Sequence, residues 1–444
     1  MSNTQPISTR YKAVFALALP IIGGMVSQNV LNLVDTAMVG TLGTEALASV
    51  GLGSFLNFSC GAFLMGLSVG VQTLCARWRG AQREDYAVPL NAGLILSAVI
   101  GLPLTYVLIV NTPTLMTWVS DTPAIQSLGG EYLQARLYGM AAVGASFCFR
   151  SYWSAVEMTL IYLVTLIAMH IINIFLNWVL IFGHLGFEPM GVEGAGVGSA
   201  ISAWIGVGLY TIFAIKYALP HGFLKKGADL ETWRELLRMS IPSGIERVFF
   251  ALSMTLFMTL MGRIGPEALA ASNVILNLFL VAILPALGFG IASATFVARS
   301  IGANTPKEAD LWRIAVNRCA MICLTVISIF FAIAPDWICH LFIQESAPLI
   351  LASDTLRLMA LCLPFEALHM VTYQSLIGLG DNRVVMMMNL TTQWLLMLPL
   401  VYLIGVNWGG GVMWAWGIHF GARVLVMLCY TARWRGLISR LAPT

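Results

Sequence analysis

Charge is scarce in this chain. Only 10% of its residues are Asp, Glu, Lys or Arg, against about 25% in a soluble domain, while 58% are apolar. A soluble fold of 444 residues could not bury that much apolar surface. This shortage excludes a cytosolic enzyme, a nucleic-acid binder and a disordered scaffold, and leaves a polytopic membrane protein. Other signals are missing too. There is no G-x-x-x-x-G-K-[ST] loop for ATP phosphates, no zinc spacing and no Ser–His–Asp pattern that can be placed, so neither an enzyme nor a cofactor is expected. The eight cysteines form no C-x-x-C pair and nearly all lie in apolar runs, which reads as core packing. The net charge of +3 is too small to point to an acidic partner.

Long apolar runs are abundant. They fall near 13–39, 46–75, 88–111, 132–156, 159–183 and 194–219. After the polar stretch HGFLKKGADLETWRELLR come six more, near 237–262, 268–297, 313–335, 350–378, 384–404 and 410–431. A spanning helix needs roughly 20 apolar residues, so the chain reads as twelve membrane-spanning helices. The first run is too long for a signal-peptide core and counts as a span. Positive residues then collect on one side: Arg10 and Lys12; Arg77, Arg79 and Arg83; Lys225, Lys226, Arg234 and Arg238; Arg299, Lys307 and Arg313; Arg383; Arg433, Arg435 and Arg440. Positive loops stay inside, so both termini are expected to be cytoplasmic in a multi-pass protein of a cell inner membrane. Arg263 is the clear exception, a cation on the opposite side.

The chain repeats itself. A shift of 222 positions carries Pro20 to Pro242 and Gly40 to Gly262. It carries Gly43, Glu45, Ala46, Leu47 and Ala48 to Gly265, Glu267, Ala268, Leu269 and Ala270. Ala76, Arg77, Gly80 and Ala81 likewise meet Ala298, Arg299, Gly302 and Ala303. Six spans per half is an even number, so both halves enter the membrane the same way, as a parallel pseudo-two-fold repeat. The expected domains are an amino-terminal six-helix lobe over 1–219, a cytoplasmic linker over 220–236 and a carboxy-terminal lobe over 237–444. Two such bundles can rock to expose a cleft on either side in turn, which is alternating access.

Ionisable residues within spans are costly and usually functional. Among the acids, Asp35, Glu246 and Glu366 sit well inside runs. Asp35 lies 23 residues past Lys12, roughly 35 Å of helix, toward the outer half. Asn32 and Gln28 share its face at i−3 and i−7. Burial disfavours charge on a carboxylate, so such a group can exchange a proton near neutral pH or hold a cation. Glu366 lies 15 residues before Asp381, roughly 22 Å up its span. Pro364 loosens the helix before it, and His369 and Tyr373 share its face at i+3 and i+7. Glu246 lies in the inner half, where a structural salt bridge with another span competes with a functional role. Asn173 and Asn177 share a face of span 5 and could orient the carboxylate of span 1. In GVEGAGVGSA the glycines suit close packing, and Ser199 adds a polar group. The 13 Trp, 22 Phe and 22 Met suit adaptable binding of flat apolar cations.

These motifs resemble the multidrug and toxic compound extrusion (MATE) family, in its NorM-like branch, over nearly the whole chain. LALPIIGGMVSQNVLNLVDTAMVG looks like that family's first span, NIFLNWVLIFG with GVEGAGVGSAIS like spans 5 and 6, and LPFEALHMVTYQSLIGLGDNR like span 10. The resemblance implies efflux of organic cations by antiport against protons or sodium, with a coupling site in one or both lobes. It implies that Asp35, Asn173, Asn177 and Ser199 match the amino-terminal site. Proton-coupled members often carry Asp where this chain has Asn177. Glu366 matches the other lobe's carboxylate, usually Asp, and is a possible sodium site. The family's span-7 acid falls at Phe250 here, while the chain's own acid, Glu246, comes one turn earlier. The expected partners are organic cations and membrane lipid, with no nucleic acid and with a working monomer. A lipid-linked oligosaccharide flippase of the same superfamily is the alternative, with Arg136, Arg150, Arg247 and Arg357 as candidates for a cationic cavity.

Overall fold

The computed structural model describes residues 7–441, so the extreme ends assigned to the cytoplasm lie outside the described residues. Among those described there is no strand. Twelve helical crossings follow in order: α1 (Ile7–Gly40), α2 (Thr44–Gly80), α3 (Val88–Val119), α4 (Pro123–Leu137 continued by Met140–Ala155), α5 (Thr159–Phe182) and α6 (Gly191–Tyr217). The second set is α7 (Leu230–Ile264), α8 (Pro266–Ala282 continued by Leu284–Gly302), α9 (Pro306–Ile333), α10 (Ser346–Gly378), α11 (Asn382–Asn407) and α12 (Gly411–Leu441). Eleven of these are continuous helical stretches long and apolar enough to cross a membrane. The expected fourth span is the twelfth, broken at Tyr138–Gly139. There Ala200 of α6 packs so closely that a Cβ on Gly139 would meet its Cα at 2.9 Å.

The chain forms two compact units, and they divide elsewhere than the expected linker. One comprises Gly23–Gly244, the other Met1–Ile22 with Ile245–Thr444. Each boundary follows a helix-interior proline by two residues, Pro20 in α1 and Pro242 in α7. Proline removes one rung of the hydrogen-bond ladder and allows a helix to change direction.

Close packing explains which segment joins which unit. In the Gly23–Gly244 unit, α2 presents Gly66 and Gly70 to the first part of α7. A Cβ on Gly70 would lie 2.5 Å from Ser240 Oγ, and one on Gly66 would run into the backbone of Gly244. The Ser240 hydroxyl donates to the Leu67 carbonyl at 2.8 Å. The other unit repeats this contact 222 residues on, where Gly288 of α8 meets Ile22 of α1. The same unit ties the start of α1 to α9 through Arg10 Nη2 and Glu308 at 2.8 Å.

The two contacts differ in one respect. Gly66 faces backbone, whereas Gly288 faces the Ile22 side chain, which can turn aside. We therefore expect Gly66→Ala to destabilise by about 1–3 kcal/mol, the usual cost of overpacking, and Gly288→Ala by clearly less. Thermal unfolding of the two purified variants checks this; equal effects would contradict it.

The stretch 220–236 is not a free tether. Asn91 of α3 donates to the carbonyls of Gly222 and Lys226, both at 2.9 Å, and accepts from the Leu224 amide at 3.1 Å. Asp85 accepts from Arg83 Nε at 3.0 Å and sits 3.6 Å from Lys226 Nζ. The Arg83 hydrogen bond holds this carboxyl below its usual range. The lock is therefore complete at neutral pH and is lost only as pH falls through the carboxyl's own titration.

Candidate functional site

In the Gly23–Gly244 unit, α6 packs against α5 and α4 through the glycines of GVEGAGVGSA, as their small size implied. A Cβ on Gly194 would meet the Leu180 carbonyl at 2.8 Å, and one on Gly196 the Tyr132 carbonyl at 2.7 Å. Gly198 lies directly against the Asn177 amide oxygen. This close approach brings polar groups of four helices to one level. Asn177 donates to Asp35 Oδ1 at 2.8 Å. Asn173 reaches the hydroxyls of Ser199 at 3.3 Å and Ser202 at 3.2 Å. Turned about its amide axis, Asn173 instead donates to Asp35 Oδ1 at 3.1 Å and accepts from Ser202 at 3.2 Å. Arg136 of α4 donates to Ser199 Oγ at 2.9 Å and acts electrostatically on Asp35.

One turn away from this level, the same four helices turn apolar. Val39, Tyr132, Ile181 and Ala195 stand four residues from Asp35, Arg136, Asn177 and Ser199, and all are at most 3% exposed. Together with Ala46, Val50 and Val192 they form one apolar cluster. It closes the polar level toward the ends of α1 and α5. In the other direction polarity continues. His170, buried on α5, has Nδ1 2.7 Å from Ser27 Oγ and Nε2 3.3 Å from Gln28 Oε1. Gln28 in turn reaches Asn32 at 3.5 Å. The face Gln28–Asn32–Asp35 is thus a polar stripe, as the spacing implied.

In the other unit the acids of α7 and α10 belong to separate clusters. Glu366, 4% exposed, sits on α10, the helix against which α8, α9 and α12 pack. Arg423 of α12 grips it with both arms of its guanidinium: Nε donates to Oε2 at 2.6 Å and Nη2 to Oε1. His369 Nδ1 lies 3.3 Å from Glu366 Oε1 and 3.1 Å from Arg423 Nη2. A sodium ion at Glu366, expected from the resemblance, finds both oxygens already taken by a resident cation. The shared face also misassigns Tyr373. Its hydroxyl donates not to Glu366 but to Glu246 Oε2, at 3.1 Å. Asn389 of α11 donates to the other oxygen of Glu246. Glu246 is buried with two neutral donors, and among the described residues it forms none of the salt bridges that competed for it. No cluster of three or more His, Cys, Asp or Glu suited to a metal occurs among the described residues.

Three residues escaped the sequence reading: Arg423, His170 and the pairing role of Asn389. Arg423 was open to discovery, because a cation within the apolar run 410–431 is as costly as an acid. Arg357, a candidate for a cationic cavity, is instead spent on Asp354 at 2.7 Å and Asp336 at 3.0 Å, half exposed.

A family model, MatE, matches residues 20–179 and again 242–403, two stretches whose starts lie 222 residues apart. The chain belongs to the MatE family. Each unit thus carries one family element except for that element's first three residues, and the repeat read in the sequence is the family's own. The chain is 26% identical over 439 residues to a "Probable multidrug resistance protein NorM" of Brucella suis biovar 1 (strain 1330), covering 96% of this chain and 93% of that protein. It is 25% identical over 449 residues to another so named from Thermotoga maritima, covering 97% and 94%. Among solved structures it superposes on the outward-facing conformation of a multidrug resistance MATE family transporter, with TM-score 0.89 and 19% identity over the whole of both chains. A MOP superfamily transporter from Pyrococcus furiosus, described by the reverse polarity of its binding pocket, gives TM-score 0.88 at 20% identity. These likenesses establish the MATE fold in a multi-pass membrane protein.

Proposed function

We propose that this MatE protein is an inner-membrane antiporter that expels organic cations, with inward movement of protons or sodium as the driving force and both termini in the cytoplasm. The observation that carries the reading is Asp35, a carboxylate in a membrane span held by the neutral donors Asn177 and Asn173. Such a carboxylate is free to trade one cation for another, because among the described residues no ion pair satisfies it at hydrogen-bond distance. A proton, a sodium ion or an organic cation can each supply the missing charge. The apolar cluster closing one end of the site supports access from one direction at a time.

Glu246 is the second coupling carboxylate in this reading, since Tyr373 and Asn389 hold it with neutral hydrogen bonds. Glu366 is assigned a different part. Its pairing with Arg423 makes it a fixed ionic cross-link between α10 and α12 rather than an exchange site. The driving ion moves the two-state equilibrium only by its different affinity for the two states. The NorM names of the relatives, of which Photobacterium profundum holds another, support drugs as the cargo.

The test is transport by purified protein in liposomes, with a fluorescent organic cation and with sodium and pH gradients imposed separately. We expect dye movement under one gradient and not the other, which also names the ion. No movement under either gradient would overturn the reading.

A further inference from the structure

A groove of about 350 Å³ runs between α7 and α11, lined by Leu256, Thr259, Leu260 and Arg263 on one side and Trp394, Leu398, Pro399 and Tyr402 on the other. Its α11 wall is irregular. Residues Thr391–Met397 and Val401–Asn407 are wound as π helix, with Pro399 between them. A π turn widens the helix, and such stretches gather at functional sites. None of the residues lining the groove takes part in the hydrogen bonds described for Asp35, Glu246 and Glu366, and transport as proposed above makes no use of it.

Its two ends differ in chemistry. Seven residues separate Leu256 from Arg263, roughly 10 Å along the helix. At the deep end the walls are Leu256, Leu260, Trp394 and Leu398. At the shallow end stand Arg263, one residue before α7 stops, and Tyr402. Arg263 is exposed, and among the described residues no carboxylate pairs with it. It is also the cation that breaks the one-sided distribution of positive charge in this sequence. An unpaired guanidinium at the end of a spanning helix binds phosphate well, in the planar, bidentate fashion that lysine lacks. Tyrosine beside it suits the headgroup level.

We propose that this groove binds one phospholipid with an anionic headgroup, its phosphate on Arg263 and one acyl chain lying along α7 and α11. The occupant is a lipid because the groove runs parallel to the spanning helices, head end at the helix terminus and apolar end toward mid-membrane. A bilayer lipid already lies in that direction. The single charge complements phosphate, and the 350 Å³ is in the range of small-ligand sites. The lipid would brace the π-wound part of α11, which follows Asn389, a donor to Glu246.

The full chain in detergent, supplemented with phosphatidylglycerol or with phosphatidylcholine, tests this by thermal unfolding and by the lipid retained in native mass spectrometry. Wild type is expected to gain several degrees in Tm and retain about one phosphatidylglycerol, with a smaller response to phosphatidylcholine. Arg263→Gln should lose the preference between the two lipids. Leu256→Trp, which fills the deep end, should lose retention of both while folding normally. A preference for phosphatidylglycerol that survives Arg263→Gln, or a wild type that responds to neither lipid, would overturn the proposal. So would retention unchanged by Leu256→Trp.

Discussion

Asp35→Asn is expected to abolish gradient-driven transport, by at least about tenfold, while the protein still folds and inserts. The asparagine keeps the oxygen that accepts from Asn177 and loses only the charge that the proposed coupling needs. Its hydrogen-bond partners are neutral amides, which tolerate the exchange, and Arg136 donates to Ser199 rather than to Asp35, so the stability change should be no more than about 1.5 kcal/mol, the scale of one hydrogen bond. The assay is dye movement in liposomes alongside a thermal unfolding curve. A variant that transports at the wild-type rate would remove Asp35 from the mechanism. A variant that fails to fold would mean that the cluster of Asp35, Asn173, Asn177 and Ser199 is structural glue instead.

Arg423→Gln and Glu366→Gln should each weaken the fold strongly, by about 3–5 kcal/mol, because removing either partner leaves the other charged and buried. Glu366 is 4% exposed and the Arg423 side chain 12%, so water cannot take over either role. Combining Glu366→Gln with Arg423→Gln should return much of that loss, since neutral partners carry no such desolvation penalty. The strong coupling between the two sites is itself the readout. Unfolding midpoints of the two single variants and the double variant decide it. Single variants as stable as wild type, or a double variant whose loss is the sum of both, would show that the pair is not the cross-link described here.

The contrast between these two carboxylates was only partly legible in the sequence. The helical repeat of Gln28, Asn32 and Asp35 and the i, i+4 spacing of Asn173 and Asn177 place side chains on one face of one helix, and the structure joins those faces. Local spacing suffices where all the groups on a helix point at the same neighbour. It fails on α10, where Tyr373 shares a face with Glu366 yet reaches α7 and Glu246 instead. A face gives a direction, and the partner standing in that direction is set by packing across the bundle. Arg423 illustrates the same limit. It lies 57 residues from Glu366, and nothing in its own helix announces the acid it neutralises.

The fold was more open to reading. The 222-residue shift implied two equivalent halves, and the two matches of the MatE model begin at Pro20 and Pro242. The boundary between compact units was hidden, because α1 and α7 read as unbroken apolar runs. Only the glycine contacts of Gly66 with Gly244 and Gly288 with Ile22 show why the first part of each helix leaves its own half. The break in α4 was hidden for a similar reason, since Tyr138 and Gly139 interrupt hydrogen bonding without interrupting hydropathy.

The central claim, that an ion and an organic cation compete for Asp35, is tested most directly by equilibrium binding. The affinity of purified protein for a lipophilic organic cation would be measured across pH and across sodium concentration, for wild type and for Asp35→Asn. Linkage is reciprocal, so wild-type affinity must fall as the coupling ion rises, by up to about tenfold for each tenfold increase in a single competing ion. The account predicts that dependence in wild type and its disappearance in Asp35→Asn. Affinity that ignores both ions in wild type, or an ion dependence that persists in the variant, would contradict it.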